Sequence, residues 1–110
     1  MAVSTITDYL HADNARVTSQ TITLDANYLK DSGNGGFAFL VVARSWAAYA
    51  NSSSLYMVSG IQNGLYESCV QIMKETYGPT VAMSNNQVKI TFANTLGGHY
   101  ALVPLYNVLS

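Results

Sequence analysis

Charged side chains are scarce in this chain. Of its 110 residues, 5 are Lys or Arg and 6 are Asp or Glu, a total of 10%, where soluble domains usually carry about 25%. The formal net charge of −1 argues against a protein that binds nucleic acid through an extended basic surface. With 49% of its residues apolar, the chain is also not of the intrinsically disordered class, which combines low hydrophobicity with high net charge.

Cysteine and long apolar runs are lacking as well. The single cysteine, Cys69, cannot form an intramolecular disulfide, so packing alone has to hold the core. The longest apolar run, residues 37–43, is far shorter than the ~20 residues of a membrane-spanning helix, which predicts no membrane insertion. Residues 1–8 show neither the basic region nor the apolar region of a secretory signal. We therefore expect no signal peptide and folding in the cytoplasm of the cell that makes the protein.

Short apolar or alternating segments, separated by glycine and asparagine, make up most of the chain. No segment favours a stable helix and no long crossover connection is visible. The pattern therefore predicts an all-β fold, an antiparallel β-sandwich or jelly roll, in one domain of residues 16–110 that follows a short N-terminal arm of residues 1–15. The predicted strands lie at residues 16–24, 37–49, 55–61, 65–76, 80–84, 88–93 and 99–106.

Two of these strands have distinctive faces. In residues 88–93 the apolar side chains of Val88, Ile90 and Phe92 alternate with polar or small ones, which predicts a half-buried strand. Residues 37–49 are apolar on both faces and so are expected to form a central strand that is covered on both sides. On this basis Trp46, which belongs to the same strand, is expected in the core.

The turns follow from glycine, asparagine and proline. Asn63-Gly64 is the strongest hairpin signal, since a type I′ turn needs positive φ at both central residues, and Asn85-Asn86 is a second such turn. Residues 77–79 mark another turn. Pro104 cannot donate a ladder hydrogen bond, so the last strand should be an edge strand or leave its proline on a free side.

Paired carboxylates are the first enzymatic possibility. Glu67 and Glu75 share strand parity, but eight residues at ~3.3 Å each put them ~26 Å apart, beyond the ~5 to 9 Å that glycoside hydrolysis requires. Cys69 and His99 could form a thiol-imidazole couple, yet no local signature supports one. The simpler interpretation makes Cys69 a small buried apolar residue on the same face as Met73.

The sequence evidence for a metal site or a phosphate site is equally weak. His11 and Asp13 offer two ligands, whereas zinc sites use three or four. The glycines of residues 33–36 precede a strand and lack the spacing of a phosphate-binding loop. We predict a protein that is not an enzyme, with no catalytic residue, no metal and no cofactor.

Tyrosine is abundant, with eight in the chain, and several lie beside predicted loops. Tyrosine provides rigid contact area with a polar tip, and serine and asparagine add adaptable hydrogen bonds, a combination that suits uncharged ligands such as glycans. The alternative is that these tyrosines pack at sheet edges or between subunits. The predicted ligand-binding residues in the loops are Tyr49, Asn51, Ser52, Asn63 and Tyr66.

The last predicted strand, residues 99–106, is also apolar on both faces. A two-sheet core needs one apolar face from each strand, so a partner subunit is expected on the second apolar face of this strand and of residues 37–49. With few charges to keep a monomer soluble, self-association is expected. The predicted oligomer interface consists of Tyr100, Leu102, Pro104 and Tyr106.

Four segments carry a resemblance to a known class of proteins: residues 37–43, 54–60, 88–94 and 98–105. Together they resemble the small β-sandwich domains at the tips of bacteriophage tail fibres and related virion appendages. The resemblance covers residues 37–106 and rests on a rhythm of strands and turns, so no functional residue carries over. It implies a homotrimer that binds a host-surface receptor without catalysis.

The expected function is therefore that of a non-enzymatic virion protein, made in the host cytoplasm and active outside cells. It would bind a host-surface ligand, such as a glycan, as a homotrimer. A capsid or tail decoration or joining protein, which binds other virion proteins, is the alternative. A small hydrolase that depends on His99 or Glu67 is a remote one.

Overall fold

The computed structural model describes residues 15–25, 36–46, 52–61, 67–85 and 87–108. These ranges form eight strands and no helix. The strands are β1 (Ala15–Val17), β2 (Thr21–Asp25), β3 (Gly36–Ser45), β4 (Ser53–Ile61), β5 (Ser68–Lys74), β6 (Thr80–Ser84), β7 (Gln87–Thr91) and β8 (Gly98–Val108).

The strands form two antiparallel sheets. The large sheet has the order β1-β8-β3-β4-β5 and the small sheet the order β2-β7-β6. The predicted all-β sandwich is thus confirmed, and β3 lies at the centre of the large sheet, as its apolar sequence indicates. The prediction of one strand over residues 16–24 is wrong, because the chain bends at residues 19 and 20 and passes from one sheet to the other.

The core lies between the sheets. The half-buried strand predicted at residues 88–93 is confirmed, since Val88, Ile90 and Phe92 are at most 2% exposed. From the large sheet, β3 contributes Phe39 and Val41, while the intervening side chains point away. The complete set of buried apolar residues is Val17, Phe39, Val41, Ala43, Tyr56, Val58, Val81, Val88, Ile90, Phe92 and Leu102.

Two irregularities interrupt the alternation in the large sheet. Between its pairings with Leu55 and Tyr56 of β4, strand β5 carries one extra residue, Ile72. Strand β8 carries the extra residue Leu105 opposite β3. Such β-bulges shift the alternation of side chains by one position. Met73 is consequently 42% exposed and does not share a buried face with Cys69, contrary to the prediction.

Strand β8 has two neighbours at its start and one further along. Strand β1 pairs with residues 98–100 of β8, whereas β3 pairs with β8 over most of its length. Among the described residues, the part of β8 that contains Pro104 therefore has a neighbour on the β3 side alone. This agrees with the expectation that a proline occupies a strand with one free side.

Two buried serines attach the turn before β6 to the large sheet. The hydroxyl of Ser45 donates a hydrogen bond to the carbonyl oxygen of Tyr77 at 2.8 Å, and the hydroxyl of Ser54 donates to that of Pro79 at 2.6 Å. The backbone N–H of Ala93 donates to Ser45 Oγ at 3.3 Å. The predicted turn is thus present, and its carbonyl groups find partners inside the protein.

Candidate interaction surfaces

The most conspicuous surface is the face of the large sheet that is turned away from the small sheet, called here the outer face. Ten apolar residues of four strands lie on it, and six of them are 37–52% exposed. Two rows run across β8, β3, β4 and β5. One row is Val103, Leu40, Met57 and Val70, the other is Ala101, Val42, Leu55 and Met73, and the two bulge residues Ile72 and Leu105 complete the set.

The apolar part of the outer face is comparable to the largest apolar patch on a typical monomer. Four strands ~4.8 Å apart, with three outward positions per strand at twice the ~3.3 Å rise, cover about 380 Å² in projection. The largest patch on a soluble monomer measures about 300–600 Å² and is often an interaction site. Among the described residues nothing covers this face of β3, where Val42 is 41% exposed, so the expectation that β3 is covered on both faces stays a prediction about a partner.

The predicted oligomer interface lies mainly on the opposite side of β8. Leu102 is 3% exposed and belongs to the core, and Tyr100 packs against that core; the side chains of Pro104 and Tyr106 lie outside the described part. Leu102 is therefore corrected from an interface residue to a core residue. Strand β8 is apolar on both faces, so alternation alone did not reveal which face turns inward.

One of the predicted ligand-binding loop residues is described. The carbonyl oxygen of Ser52 accepts a hydrogen bond from the backbone N–H of Ser45 at 3.0 Å, which places Ser52 at the end of the large sheet where β3 terminates. Four others lie outside the described residues, namely Tyr49, Asn51, Asn63 and Tyr66.

Trp46 lies at this same end and not in the core. It follows the last residue of β3 and is 39% exposed. Its ring meets that of His99 edge to face, with centroids 5.0 Å apart, and the guanidinium carbon of Arg16 lies 4.8 Å from its centroid. The prediction of a core tryptophan is wrong, because Trp46 continues the alternation of Val42 and Arg44, whose side chains point to the outer face.

Two arginines flank His99 on the outer face. Arg16 of β1 and Arg44 of β3 are each the direct cross-strand partner of His99, and we call these three residues the cationic row. Arg16 donates hydrogen bonds to the carbonyl groups of Val17, of Gly98 at 3.1 Å and of Leu96 at 2.9 Å. Within the described part of the chain, neither arginine is paired with a carboxylate.

The surroundings of His99 disfavour protonation of its imidazole. Its Nδ1 is buried and has no hydrogen-bond partner among the described residues. Desolvation lowers the pKa of His99 below its usual 6.5, and the positive charges of Arg44 and Arg16 lower it further. At neutral pH the cationic row therefore carries two positive charges, one on each side of an uncharged ring.

A groove of about 280 Å³ opens near the turn before β6. Lys74, Tyr77, Thr80 and Thr91 are among its lining residues. Tyr77, predicted to lie beside a loop, is 52% exposed here. The groove combines an aromatic ring with hydroxyl groups, which is chemically compatible with a polar, uncharged ligand.

The structure separates the groups that a hydrolase would need together. Cys69 of β5 pairs with buried Val58 of β4 and packs against the core, whereas His99 lies on the outer face of β8, and strands β4 and β3 lie between β5 and β8 in the sheet. Burial raises the pKa of the Cys69 thiol, which disfavours the nucleophilic thiolate. Glu67 and Glu75 flank opposite ends of β5.

No metal-ligand cluster of three or more His, Cys, Asp or Glu residues occurs among the described residues. Nowhere in the described ranges is there a helix long and apolar enough to cross a membrane. Comparison of the chain with protein-family models, with curated proteins and with solved structures found no match.

Proposed function

We propose that this chain is a non-enzymatic β-sandwich subunit of a virion appendage that self-associates and presents its loops to a host-surface ligand. The observation that carries the proposal is the outer face, where ten apolar residues of four strands lie side by side without a charge among them. Surfaces of this kind mark contacts with a partner. The net charge of −1 supports the same conclusion, because a net charge near zero favours association.

The chemistry of the outer face favours further copies of this chain as the partner. In a closed homo-oligomer the patches that meet must be complementary to each other, and uncharged apolar surfaces can pack together without burying an unpaired charge. The four strands that carry the apolar rows have 11, 10, 9 and 7 residues and, at ~3.3 Å per residue and ~4.8 Å between strands, present about 590 Å² in projection. This is of the same order as the ~800 Å² that each partner contributes to a stable interface. The homotrimer that the resemblance implies would bring three such faces together around one axis.

Light scattering on the purified protein tests self-association. We expect a trimer at micromolar concentration and a monomer for Val42→Glu, because Val42 lies on the central strand of the outer face. Ala82→Glu is the matched control, since it introduces the same charge at an exposed position of the small sheet. A monomeric wild-type protein, or equal effects of the two substitutions, would sink this part of the proposal.

Ligand binding needs a separate measurement. We expect the purified oligomer to bind a subset of glycans on an array, and to bind host cells. A decoration or joining protein would instead bind assembled virus particles that lack it and ignore both cells and glycans. That result would replace the receptor-binding proposal with the alternative one, in which the outer face contacts other virion proteins.

A further inference from the structure

We infer that the cationic row and Trp46 form a binding site for an oxyanion, a carboxylate or sulfate group, that is carried on a sugar. This inference rests on the proposed function and names the chemical class of its host-surface ligand. The site lies on the large sheet where β1, β8 and β3 are adjacent, and its two charged residues belong to strands on either side of His99.

Positive charge is scarce in the chain and is concentrated at this site. The chain has five basic residues, and two of them flank a single imidazole in one row of the sheet. The backbones of Arg16 and Arg44 lie two strand spacings apart, ~9.6 Å, so an anion bound between them is attracted by both positive charges. No described carboxylate of the chain is paired with either arginine.

The two arginines differ in the way they are held. The guanidinium of Arg16 is fixed by three backbone carbonyl groups and by the ring of Trp46, so it supplies a positive charge that loses little freedom when a ligand binds. The guanidinium of Arg44 is exposed and has no partner among the described residues. Its five N–H donors are therefore available to an oxyanion, which a guanidinium can bind through two parallel hydrogen bonds.

The neighbouring groups fit an anion that belongs to a larger molecule. Trp46 is 39% exposed beside the two guanidiniums, and aromatic rings offer apolar contact area to sugars and other amphipathic ligands.

The position of the site is compatible with self-association. The cationic row lies one row beyond Val42 and Ala101, at the end of the outer face. Contact between copies over the apolar rows leaves it at the rim. Residues 47–51, which include the predicted ligand-binding residues Tyr49 and Asn51, follow Trp46 directly in the sequence.

Trp46 is the single tryptophan of the chain, so its fluorescence reports on this site. We would titrate the protein with sodium N-acetylneuraminate, with N-acetylglucosamine and with sodium sulfate. The inference expects a saturable change with N-acetylneuraminate, a much weaker one with sulfate and none with the neutral sugar. Equal responses to the acidic and neutral sugars would overturn it, as would sulfate binding at least as tightly as the acidic sugar, which indicates a site for free inorganic anions.

Substitution of Arg44 provides the residue-specific test. We expect Arg44→Gln to weaken binding of N-acetylneuraminate by about 10- to 100-fold, the usual effect of losing hydrogen bonds to a charged group, and Arg44→Lys to weaken it less. Lys89→Gln is the matched control, because it removes one positive charge from an exposed position of the small sheet. Equal losses in Arg44→Gln and Lys89→Gln would show an effect of net charge and overturn the inference.

Light scattering on the same variants separates the two proposals. Arg44→Gln should leave the oligomer intact. If it dissociates the oligomer instead, the cationic row binds a carboxylate of a neighbouring copy and the inference is wrong. If the protein is an oligomer that binds only neutral glycans, this inference is wrong and the proposed function still holds. If the protein is a monomer that binds N-acetylneuraminate through Arg44, only the proposed self-association is wrong.

Discussion

Ser54 and Pro79 are joined by a buried hydrogen bond, in which the serine hydroxyl donates to the proline carbonyl oxygen at 2.6 Å. Both residues are less than 2% exposed. Ser54 belongs to the large sheet and Pro79 precedes the first residue of the small sheet's β6. The bond therefore connects the two layers of the sandwich at a place where an apolar side chain would leave the carbonyl without a partner.

Replacement of Ser54 by alanine tests this connection. We expect Ser54→Ala to lower the free energy of unfolding by about 1–3 kcal/mol, because the buried carbonyl group of Pro79 loses its hydrogen bond. Chemical denaturation measures the change. Ser68→Ala, at an exposed position of β5, should alter the free energy of unfolding by less than ~0.5 kcal/mol. Similar values for the two variants would contradict the assigned role.

Phe39 and Leu105 distinguish the core from the outer face. Phe39 is 2% exposed, whereas Leu105 is 51% exposed. We expect Phe39→Ala to cost ~3 to 5 kcal/mol, since it leaves a cavity between the sheets, and Leu105→Ala to cost less than ~0.5 kcal/mol in the folded monomer. Denaturation at several protein concentrations gives both values. A small effect at Phe39 would show that β3 presents its other face to the core.

Gly97 has a backbone conformation that other residues adopt at a cost. Its φ is +78°, and a Cβ atom there would meet the carbonyl oxygen of Val17 and lie 2.6 Å from that of Ser19. We expect Gly97→Ala to destabilise the protein by more than ~2 kcal/mol, through strain and displacement of backbone.

Asn85 provides the contrast, because its φ of 50° is also positive and glycine adopts this conformation readily. Asn85→Gly should therefore leave the melting temperature unchanged or slightly raised. A melting temperature that is unaffected by Gly97→Ala would show that residues 94–97 rearrange freely around the added methyl group.

Protonation of His99 makes stability depend on pH. Its pKa lies below 6.5 in the folded protein and near 6.5 when the chain is unfolded, so the unfolded state binds more protons between these two values. By linkage, the stabilisation is complete above pH 6.5 and is lost as the pH falls through the folded-state pKa. Melting temperatures measured between pH 8 and pH 5 should decline below pH 6.5.

Two variants test whether His99 causes this decline in melting temperature. His99→Gln should flatten the profile between pH 6.5 and pH 5, and Ser68→Ala, at an exposed position of β5, should not. Glu75 acts in a lower window, because hydrogen bonds from the backbone and side chain of Ser53 hold its pKa below 4.5. Its contribution is therefore lost only as the pH falls below that value. A profile that His99→Gln leaves unchanged would contradict the prediction.

The faces of some strands could be predicted and those of others could not. In β7 the polar side chain of Lys89 alternates with Val88 and Ile90, so only one arrangement buries the apolar pair. Strand β8 offers apolar residues on both sides, and the sequence favoured Leu102 as an interface residue although it lies in the core. The bulge at Ile72 moved Met73 to the outer face in a way that alternation does not reveal.

The candidate ligand site depended on tertiary structure even more. Arg16, Arg44 and His99 are far apart in the sequence, and no local pattern connects them. Only the order β1-β8-β3 and the register within it place both arginines opposite His99. Exposure of Trp46 follows from the same arrangement, because β3 ends one residue before it.

The sequence by itself determined that this protein is an all-β sandwich with few charges, since alternation and turn residues act over a few neighbouring positions. Tertiary structure decided which apolar faces became the core, because the small sheet, built from three of the described strands, covers one side of the large sheet. It also decided where the scarce charges meet. The few charges of the chain are therefore unevenly distributed, and the outer face of the large sheet is apolar except for two arginines and His99 at one end.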